Sequence, residues 1–283
     1  MSYLGIDIGG SSVKMAAVEE GQVLWTGQSE RYERPDTQEL ARALREAAGG
    51  RATRAEGVGL CVPGLLDESR QAVALSVNVP GLNGVNLSVL IGMALGEGLG
   101  RVRVVSDAIA TGYDLWYQRQ LEGRLLVLAL GTGIGAAVLN EGEPLYVDGE
   151  SPGHIGQMDV SIEGDPVIGP DGGAGSLEGY LGTAALMARY GKDVGSIVKG
   201  FRGDEVPMRA LARAIRIAHA IYRPAHVALA GGIGIRLGHV LPTLRQVIET
   251  NLTSVARAGW TLTVGDSDHH AAMGAARMAG KGK

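Results

Sequence analysis

The stretch "GIDIGGSSVKMAAVEEGQ", residues 5–22, places an acid, a glycine pair, two serines and a lysine in and after an apolar segment. The apolar residues predict a β-strand over 2–8, followed by strands in "SSVKMAAVEE" and, across a glycine turn, in "QVLWTGQ". Three consecutive antiparallel strands are therefore expected at the start of the chain. A tight hairpin alone would explain the glycine pair if its turn needs the positive φ angles that glycine tolerates.

A later stretch, "LLVLALGTGIGAAVLNEGEPLYVDG" at residues 125–149, has the same order of strand, glycine-containing loop, strand, turn and strand. This repetition predicts two related α/β domains. We place the first domain at residues 1–110, with the C-terminal helix at 266–283 as its candidate completion, and the second domain at 111–265.

The composition argues against several classes of protein. The 283 residues, 45% of them hydrophobic, are enough for one large domain or two ordinary ones. A net charge of −4 without a basic block argues against a nucleic-acid-binding surface. The single cysteine, Cys61, excludes an internal disulfide and a cysteine-based zinc site. The longest uncharged apolar run, 125–140, is too short and too rich in glycine to span a membrane. Because a strand starts at residue 2, we expect no signal peptide and a cytoplasmic protein.

Further helices and buried strands are predicted between the two repeated stretches and after them. The predicted helices lie in "TQELARALREAAGG", "NLSVLIGMALGEGLG", "IATGYDLWYQRQ", "PMRALARAIRIAHAIY", "LPTLRQVIETNLTSVARA" and "HHAAMGAARMAG". The predicted buried strands lie in "AEGVGLCVPG", "RVRVVSDA" and "HVALAGGIG".

Two glycine loops between paired strands suit the polyphosphate of a nucleotide, because glycine lets backbone N–H donors approach phosphate oxygens closely. The candidate phosphate-binding residues in the two loops are Gly9, Gly10, Ser11, Ser12, Gly131, Thr132 and Gly133. Asp7, at the end of the first strand, is the candidate ligand of a hydrated Mg²⁺ ion. Lys14 is either a phosphate partner or a solvated strand residue.

The sequence "GTGIGA" in the second loop also raises the alternative of a dinucleotide-binding turn. That motif requires a strand, a glycine loop, a helix and an acid about 20 residues further on. Here the loop is followed by "AAVLNEGEPLY", which predicts a strand, a turn and a strand, and the glycine spacing is G-x-G-x-G. The pattern therefore favours a phosphate-binding hairpin loop.

Short motifs in a fixed order run through nearly the whole chain. They are "DIGGSSVK", "VPG", "NVPG", "SDAIATG", "LGTGIGAAV", "PGHIGQMDV", "SLEGYLGTAAL", "LAGGIG" and "GAARMA". This ordered set resembles the ROK family of sugar kinases and sugar-responsive repressors. The resemblance implies a two-domain actin-like ATPase fold (a duplicated ribonuclease H-like α/β fold) with a nucleotide cleft between the domains. It also implies an ATP- and Mg²⁺-dependent transfer of a phosphoryl group to a hexose or amino sugar, and a homodimer.

Asp107 is the candidate catalytic residue. It follows the apolar strand "RVRVV" and precedes a predicted helix, where a carboxylate faces a cleft or caps the helix. The catalytic aspartate of the ROK family falls on Asp107, so the resemblance implies that it deprotonates the acceptor hydroxyl. The motif "LAGGIG" at 229–234 resembles the adenosine-side turn of the family, with Gly231 and Gly232 near the base and ribose; a helix start without a ligand is the alternative.

The sugar-side positions depart from the family pattern. "NVPGLNG" at 78–84 resembles its sugar-side loop, with Asn78 and Asn83 as hydroxyl partners or as ordinary turn residues. Where the family has Gly-Glu-x-Gly-His, this chain has "GHIGQ". The residues that replace the usual sugar contacts are Ser106 for asparagine, His154 for glutamate and Gln157 for histidine. His154 is either a sugar partner or a packed histidine. An acetylated, anionic or truncated sugar is thus an alternative to glucose.

The zinc loop of the family, Cys-x-Cys-Gly-x-x-Gly-Cys-x-Glu, aligns with "GPDGGAGSLE". Gly169, Asp171 and Ser176 stand at its cysteine positions, and Gln157 replaces the zinc-binding histidine. These groups do not build a tetrahedral thiolate site, so we expect no structural zinc. Glu178 matches the family glutamate; it is either a sugar ligand or a surface glutamate.

Two alternatives to a ROK sugar kinase stay open. One is a catalytically weak or inactive sugar-sensing protein of the same fold, which the altered sugar contacts favour. The other is a zinc-free kinase-type relative, such as the N-acetylglucosamine kinase or dehydratase-activator families. The activator type needs cysteines for an iron–sulfur cluster, and only Cys61 is present.

Overall fold

The computed structural model describes residues 1–51, 54–96, 98–147, 154–170, 172–191 and 193–281. Asp171, one of the positions compared with the zinc loop, lies outside the described residues. The chain divides into two compact units. Unit 1 is Met1–Asp114 with His269–Lys283, and unit 2 is Leu115–Asp268.

Both units contain strands and helices. In chain order they are β1 (Ser2–Ile8), β2 (Val13–Glu19), β3 (Gln22–Gln28), α1 (Thr37–Ala48), β4 (Ala55–Cys61), β5 (Leu65–Leu66), β6 (Val73–Leu75), α2 (Leu87–Leu95), β7 (Leu99–Val104), α3 (Asp107–Gln118), β8 (Arg124–Leu130), β9 (Ile134–Asn140), β10 (Glu143–Pro144), α4 (Leu177–Leu181), α5 (Thr183–Tyr190), α6 (Val194–Lys199), α7 (Val206–Tyr222), β11 (His226–Ala230), α8 (Gly231–Gly234), α9 (Leu241–Asn251), α10 (Ser254–Arg257), β12 (Thr261–Val264) and α11 (His270–Gly280).

Unit 1 is built on a five-stranded sheet in the order β3-β2-β1-β4-β7. Strands β1, β2 and β3 are antiparallel neighbours, whereas β4 and β7 continue the sheet parallel to β1. Helices α1 and α2 pack on one face through the hydrophobic core of the unit. Helix α11 packs on β1 and β4, where a Cβ at Gly5 would lie 1.7 Å from the carbonyl oxygen of Ala272. Glycine in β1 therefore permits the close approach of α11.

Unit 2 contains a second five-stranded sheet, in the order β10-β9-β8-β11-β12. Strands β8, β9 and β10 are antiparallel, and β11 and β12 run parallel to β8. The core of this unit packs β8 and β9 with α4, α7 and α9. The two sheets thus share strand order and strand direction, which confirms the α/β class and the repetition expected from the sequence.

Helix α1 shows how local signals set an element. The Asp36 side chain accepts the N–H of Glu39 at 2.8 Å, and the Glu39 carboxylate accepts the N–H of Asp36 at 3.0 Å, which forms a capping box. Gly49 ends the helix with a φ of 56°, in the left-handed region that glycine tolerates. Among the described helices, none combines the length and the apolar character that a membrane crossing requires.

Candidate active site

The first loop, residues 9–12, joins β1 to β2. The Gly9 N–H donates to the Ser12 carbonyl at 3.0 Å and so closes the turn. Neither Gly9 nor Gly10 has a positive φ angle, so the turn itself does not require glycine. Gly10 is exposed, and a Cβ there would meet only Asn78, at 3.7 Å. The glycine pair leaves the backbone of this loop open to close approach.

Tyr32 holds the first loop, although no sequence motif marks it. Its hydroxyl donates to the Gly9 carbonyl at 2.6 Å, and its N–H donates to the Ser11 carbonyl at 3.0 Å. The amide of Gln28 also donates to the Ser12 hydroxyl at 3.1 Å. Tyr32 lies in the connection "SERYERPD" after β3, where its sequence neighbours predict only a polar loop. Its contact with the first loop is visible only in three dimensions.

Asp7 and Asp107 lie at the same edge of the sheet of unit 1. Asp7 is near the end of β1, directly opposite Lys14 on β2, so these two side chains project from the same face. Asp107 is the first residue of α3, just beyond β7. Because β1, β4 and β7 are parallel, their carboxyl ends meet at one edge of the sheet.

The pKa values of both carboxyls are raised. Burial raises the pKa of Asp7 from 3.8 to about 7; the charge of Asp107 also raises this pKa, and Lys14 lowers it. Burial raises the pKa of Asp107 as well, against the N–H of Ala108, which donates to Asp107 Oδ1 at 2.7 Å. The Asp107 side chain nevertheless reaches solvent. Asp107 is therefore packed against protein atoms and is still accessible to solvent. Its Oδ1 accepts a backbone N–H at the start of α3, as the capping alternative expects, and a catalytic role stays a prediction.

The three sugar-side candidates of unit 1 differ in what they contact. Asn83 accepts the N–H of Ser76 at 2.6 Å and donates to the Ser76 carbonyl at 3.3 Å, so its amide closes its own loop as the turn alternative predicts. Asn78 is exposed beside the first loop. Ser106 is half-buried directly before α3. Asn78 and Ser106 thus remain candidate sugar contacts.

The second loop, residues 131–133, joins β8 to β9. Thr183 donates to the Gly131 carbonyl through its N–H and through its hydroxyl, each at 3.0 Å. Glu178 Oε2 accepts the N–H of Ile134 at 2.9 Å. Because a strand rather than a helix follows this loop, it is not the dinucleotide-binding turn considered above.

Glu178 connects the second loop to the segment that carries His154 and Gln157. A Cβ at Gly133, or one at Gly156, would lie 3.2 Å from Glu178 Oε2, so glycine at both positions makes room for the carboxylate. His154 is exposed and is therefore not the packed histidine of the alternative interpretation. Gln157 is half-buried in the short turn that follows His154.

Gly231 lies directly after β11 and beside the second loop. Its φ is 74°, and a Cβ there would lie 2.5 Å from the carbonyl oxygen of Leu130, the last residue of β8. The positive φ and the short distance to Leu130 each require glycine at position 231. Gly232 is exposed in the first turn of α8. The motif "LAGGIG" therefore contains the start of a helix, α8. A contact of Gly231 and Gly232 with adenosine stays a prediction.

The loop aligned with the zinc site of the family closes through its backbone. The Gly169 N–H donates to the Gly173 carbonyl at 2.8 Å, and the Ser176 hydroxyl accepts the N–H of Gly179 at 3.1 Å, at the start of α4. A Cβ at Gly169 would lie 2.0 Å from the Ser176 hydroxyl oxygen, so the position has no room for a side chain. A set of glycine, serine and glutamine in place of thiolates and imidazole does not fit a structural zinc.

Comparison with known proteins relates the whole chain to one family. The ROK family model matches residues 3–281. An N-acetyl-D-glucosamine kinase from Vibrio vulnificus (strain YJ016) is 26% identical over 310 residues, covering 99% of this chain and 100% of that protein. The N-acetyl-D-glucosamine kinase from Erwinia tasmaniensis is 27% identical over 192 residues, 63% of this chain and 62% of that protein. A ROK family glucokinase from Streptomyces griseus, solved with glucose and AMPPNP, is 19% identical, covers 100% of both chains and has a TM-score of 0.74. This likeness confirms the expected actin-like ATPase fold.

Proposed function

This chain belongs to the ROK family, and from that premise we propose that it is a kinase that transfers a phosphoryl group from ATP to a hydroxyl of a hexose or an amino sugar. The acceptor is of the glucose, N-acetylglucosamine or N-acetylmannosamine type. The observation that carries the proposal is the position of Asp7 and Asp107 at one edge of the sheet, the edge at which the first loop follows β1. Phosphoryl transfer depends mainly on a positioned polyphosphate, neutralised charge and one base.

Asp107 is the base in this proposal. Its carboxylate takes the proton of the acceptor hydroxyl while that oxygen attacks the γ-phosphorus and the bond to the ADP oxygen breaks. The N–H of Ala108 holds Oδ1 of the carboxylate, and the exposure of the side chain makes it accessible to the acceptor. The raised pKa of Asp107 makes its carboxylate a stronger base near neutral pH.

The two loops bind the polyphosphate through backbone N–H and hydroxyl groups. Exposed Gly10 of the first loop and exposed Thr132 and Gly133 of the second have the accessibility that this role needs. Lys14 adds a positive charge beside Asp7. The turn at Gly231 and Gly232 contacts the adenosine part.

Asp7 is suited to a hydrated Mg²⁺ ion. Mg²⁺ is commonly held by one or two carboxylates together with waters and substrate phosphates. The half-buried carboxyl of Asp7, with its pKa raised partly by Asp107, has negative charge that Lys14 offsets only in part. When bound, Mg²⁺ neutralises charge on the transferring phosphoryl group. Asp7 would hold the hydrated ion through its carboxylate.

The proposed hydroxyl-binding groups of the sugar site are those of Asn78, Ser106, His154, Gln157 and Glu178. His154 and Gln157 stand where the family has glutamate and histidine, which favours an acetylated, anionic or truncated sugar over glucose. The same substitutions are the observation that favours the second candidate function, a sugar-sensing protein with weak or no catalysis.

A panel of monosaccharides and amino sugars, tested for ADP release and by calorimetric titration, separates these functions. ADP release that depends on one sugar, with stoichiometric formation of its phosphate ester, supports the kinase. Sugar binding without release in the presence of ATP and Mg²⁺ supports the sensor. A chain that binds ATP but no sugar of the panel contradicts both.

A further inference from the structure

Tyr32 contacts the first loop at two points, and both acceptors are peptide carbonyls. Its hydroxyl donates to Gly9 and its N–H donates to Ser11. The ring is half-buried and packs against the hydrophobic core of unit 1. Just before it, Ser29 donates its N–H to the Val13 carbonyl at 2.9 Å and accepts the Val13 N–H on its hydroxyl at 3.0 Å. The segment that carries Tyr32 is therefore itself anchored.

These bonds orient the peptide groups of the loop. A trans peptide group is planar, with its C=O and its N–H pointing in opposite directions. The carbonyl of Gly9 shares its peptide group with the N–H of Gly10, so the bond from Tyr32 directs that N–H away from the tyrosine. The bond to the Ser11 carbonyl directs the N–H of Ser12 in the same manner. One residue thus sets the direction of two backbone donors.

The glycine pair makes such an anchor necessary. Gly9 and Gly10 keep the backbone open, but glycine loses more conformational freedom on ordering than any other residue. Without a constraint, ATP would have to order this segment when it binds. Tyr32 supplies the constraint beforehand, and burial and the charge of Asp7 raise the pKa of its hydroxyl, so the hydroxyl stays a proton donor.

We propose that Tyr32 is a positioning residue that pre-orders the first loop for the phosphates of ATP. The inference rests on the function proposed above and adds to it a residue that acts through the loop rather than by touching the substrate. Pre-ordering improves affinity by lowering the entropy cost of binding. The benefit concerns the phosphates, so binding of adenosine alone should not depend on the Tyr32 hydroxyl.

Tyr32→Phe tests the inference by removing only the hydroxyl. The matched control is Tyr3→Phe, the same change near the opposite end of β1, where the hydroxyl meets Glu56 at 3.4 Å. ATP and adenosine are titrated separately into wild type and both variants, in the presence of Mg²⁺, and the unfolding temperatures are measured. We expect Tyr32→Phe to bind ATP about three- to tenfold more weakly, the effect of one lost hydrogen bond. Adenosine affinity should be unchanged, and Tyr3→Phe should match wild type.

Other outcomes overturn the inference. Equal ATP affinity in Tyr32→Phe and wild type means that the hydroxyl does not position the loop. An equal loss of ATP and adenosine affinity, with a lower unfolding temperature, means that Tyr32 has only a structural role. Failure of the wild type to bind ATP at all would instead reject the proposed function, and the role of Tyr32 with it.

Discussion

The two glycine loops occupy equivalent places in sheets of the same topology, yet different side chains hold them. The first loop receives a phenol hydroxyl from Tyr32 and an amide from Gln28, both neutral donors. The second loop is held by the Glu178 carboxylate, which accepts a backbone N–H, and by Thr183, which donates to a carbonyl. A repeated backbone thus does not imply repeated side-chain chemistry.

The carboxyl groups differ between the units as well. In unit 1, the charge of Asp107 raises the pKa of Asp7. In unit 2, the carboxylate nearest to the loop, Glu178, already accepts the N–H of Ile134. The comparison leads to a division of roles: substitutions of the acids in unit 1 should change turnover, whereas substitutions around the second loop should change affinity. The following predictions test this division.

The largest effect is expected from Asp107→Asn, which removes the proposed base. Turnover should fall by roughly 10²- to 10⁴-fold because the acceptor hydroxyl loses its proton acceptor. ATP affinity should stay nearly unchanged. Sugar-dependent ADP release and ATP titration measure the two quantities, with Asp204→Asn, an exposed aspartate of unit 2, as the matched control. Unchanged release in Asp107→Asn would end the assignment.

Asp7→Asn should change how the stability of the protein depends on pH. A carboxyl with a pKa raised from 3.8 to about 7 keeps its proton in the folded state where the unfolded chain has lost it. Its contribution to stability is fully present below pH 3.8 and is lost as the pH rises through about 7. At about pH 8 the variant should be more stable than wild type, by on the order of 1–3 kcal/mol.

Thermal unfolding at several pH values checks this prediction. The difference between Asp7→Asn and wild type should shrink as the pH is lowered toward about 4. Mg²⁺ should raise the unfolding temperature of wild type at about pH 8 but not that of the variant, because the ion offsets the half-buried charge of Asp7. If the unfolding temperatures of wild type and variant change in parallel with pH and neither responds to Mg²⁺, the pKa of Asp7 is not raised and Asp7 does not bind the ion.

Glu178→Gln tests the other side of the comparison. The neutral amide holds the Ile134 N–H less strongly than the carboxylate does, so the second loop should loosen. Because Glu178 holds the second loop and is also a proposed sugar contact, we expect the KM values for ATP and for the sugar to rise about three- to tenfold with a smaller change in kcat. Glu163→Gln, at an exposed position of the same unit, is the control. A rise in the KM for the sugar alone would show that Glu178 does not hold the loop for ATP.

A smaller effect on stability at acid pH is expected from His219 in unit 2. His219 is buried against Trp260, with ring centroids 4.6 Å apart, and burial lowers its pKa below 6.5. A lowered histidine pKa gives stability that is present above pH 6.5 and lost as the pH falls below it. Relative to wild type, His219→Phe should therefore lose stability less steeply on acidification, in the direction opposite to the Asp7 effect. Identical acid profiles would contradict this.

The smallest change is expected from treatment with a zinc chelator, because we expect the protein to hold no structural zinc. Gly169, Ser176 and Gln157 offer no set of zinc ligands, and the loop from 169 to 176 closes through backbone hydrogen bonds. Dialysis against a chelator should leave the unfolding temperature unchanged, and metal analysis should find zinc far below one ion per chain. Stoichiometric zinc in the purified protein would refute this prediction.

Much of the fold was predictable because its signals are local. Apolar strands interrupted by glycine loops occur twice in the sequence, and the structure places them in two sheets of the same order. Helix α1 begins at Thr37 and ends directly before Gly49, as the stretch "TQELARALREAAGG" predicts. The short helices α4, α5 and α6 were not predicted; each is only five to eight residues long, and burial of side chains such as Tyr180 decides them rather than a periodic pattern.

The sequence by itself determined the repeated α/β architecture, the family and the positions of the two glycine loops, because residues close together in the chain encode these features. Only the tertiary structure decided how each loop is held. Tyr32 reaches Gly9 across 23 residues, and Glu178 reaches Ile134 across 44. Such contacts leave no spacing pattern in the chain, because they depend on where separate elements come together after folding.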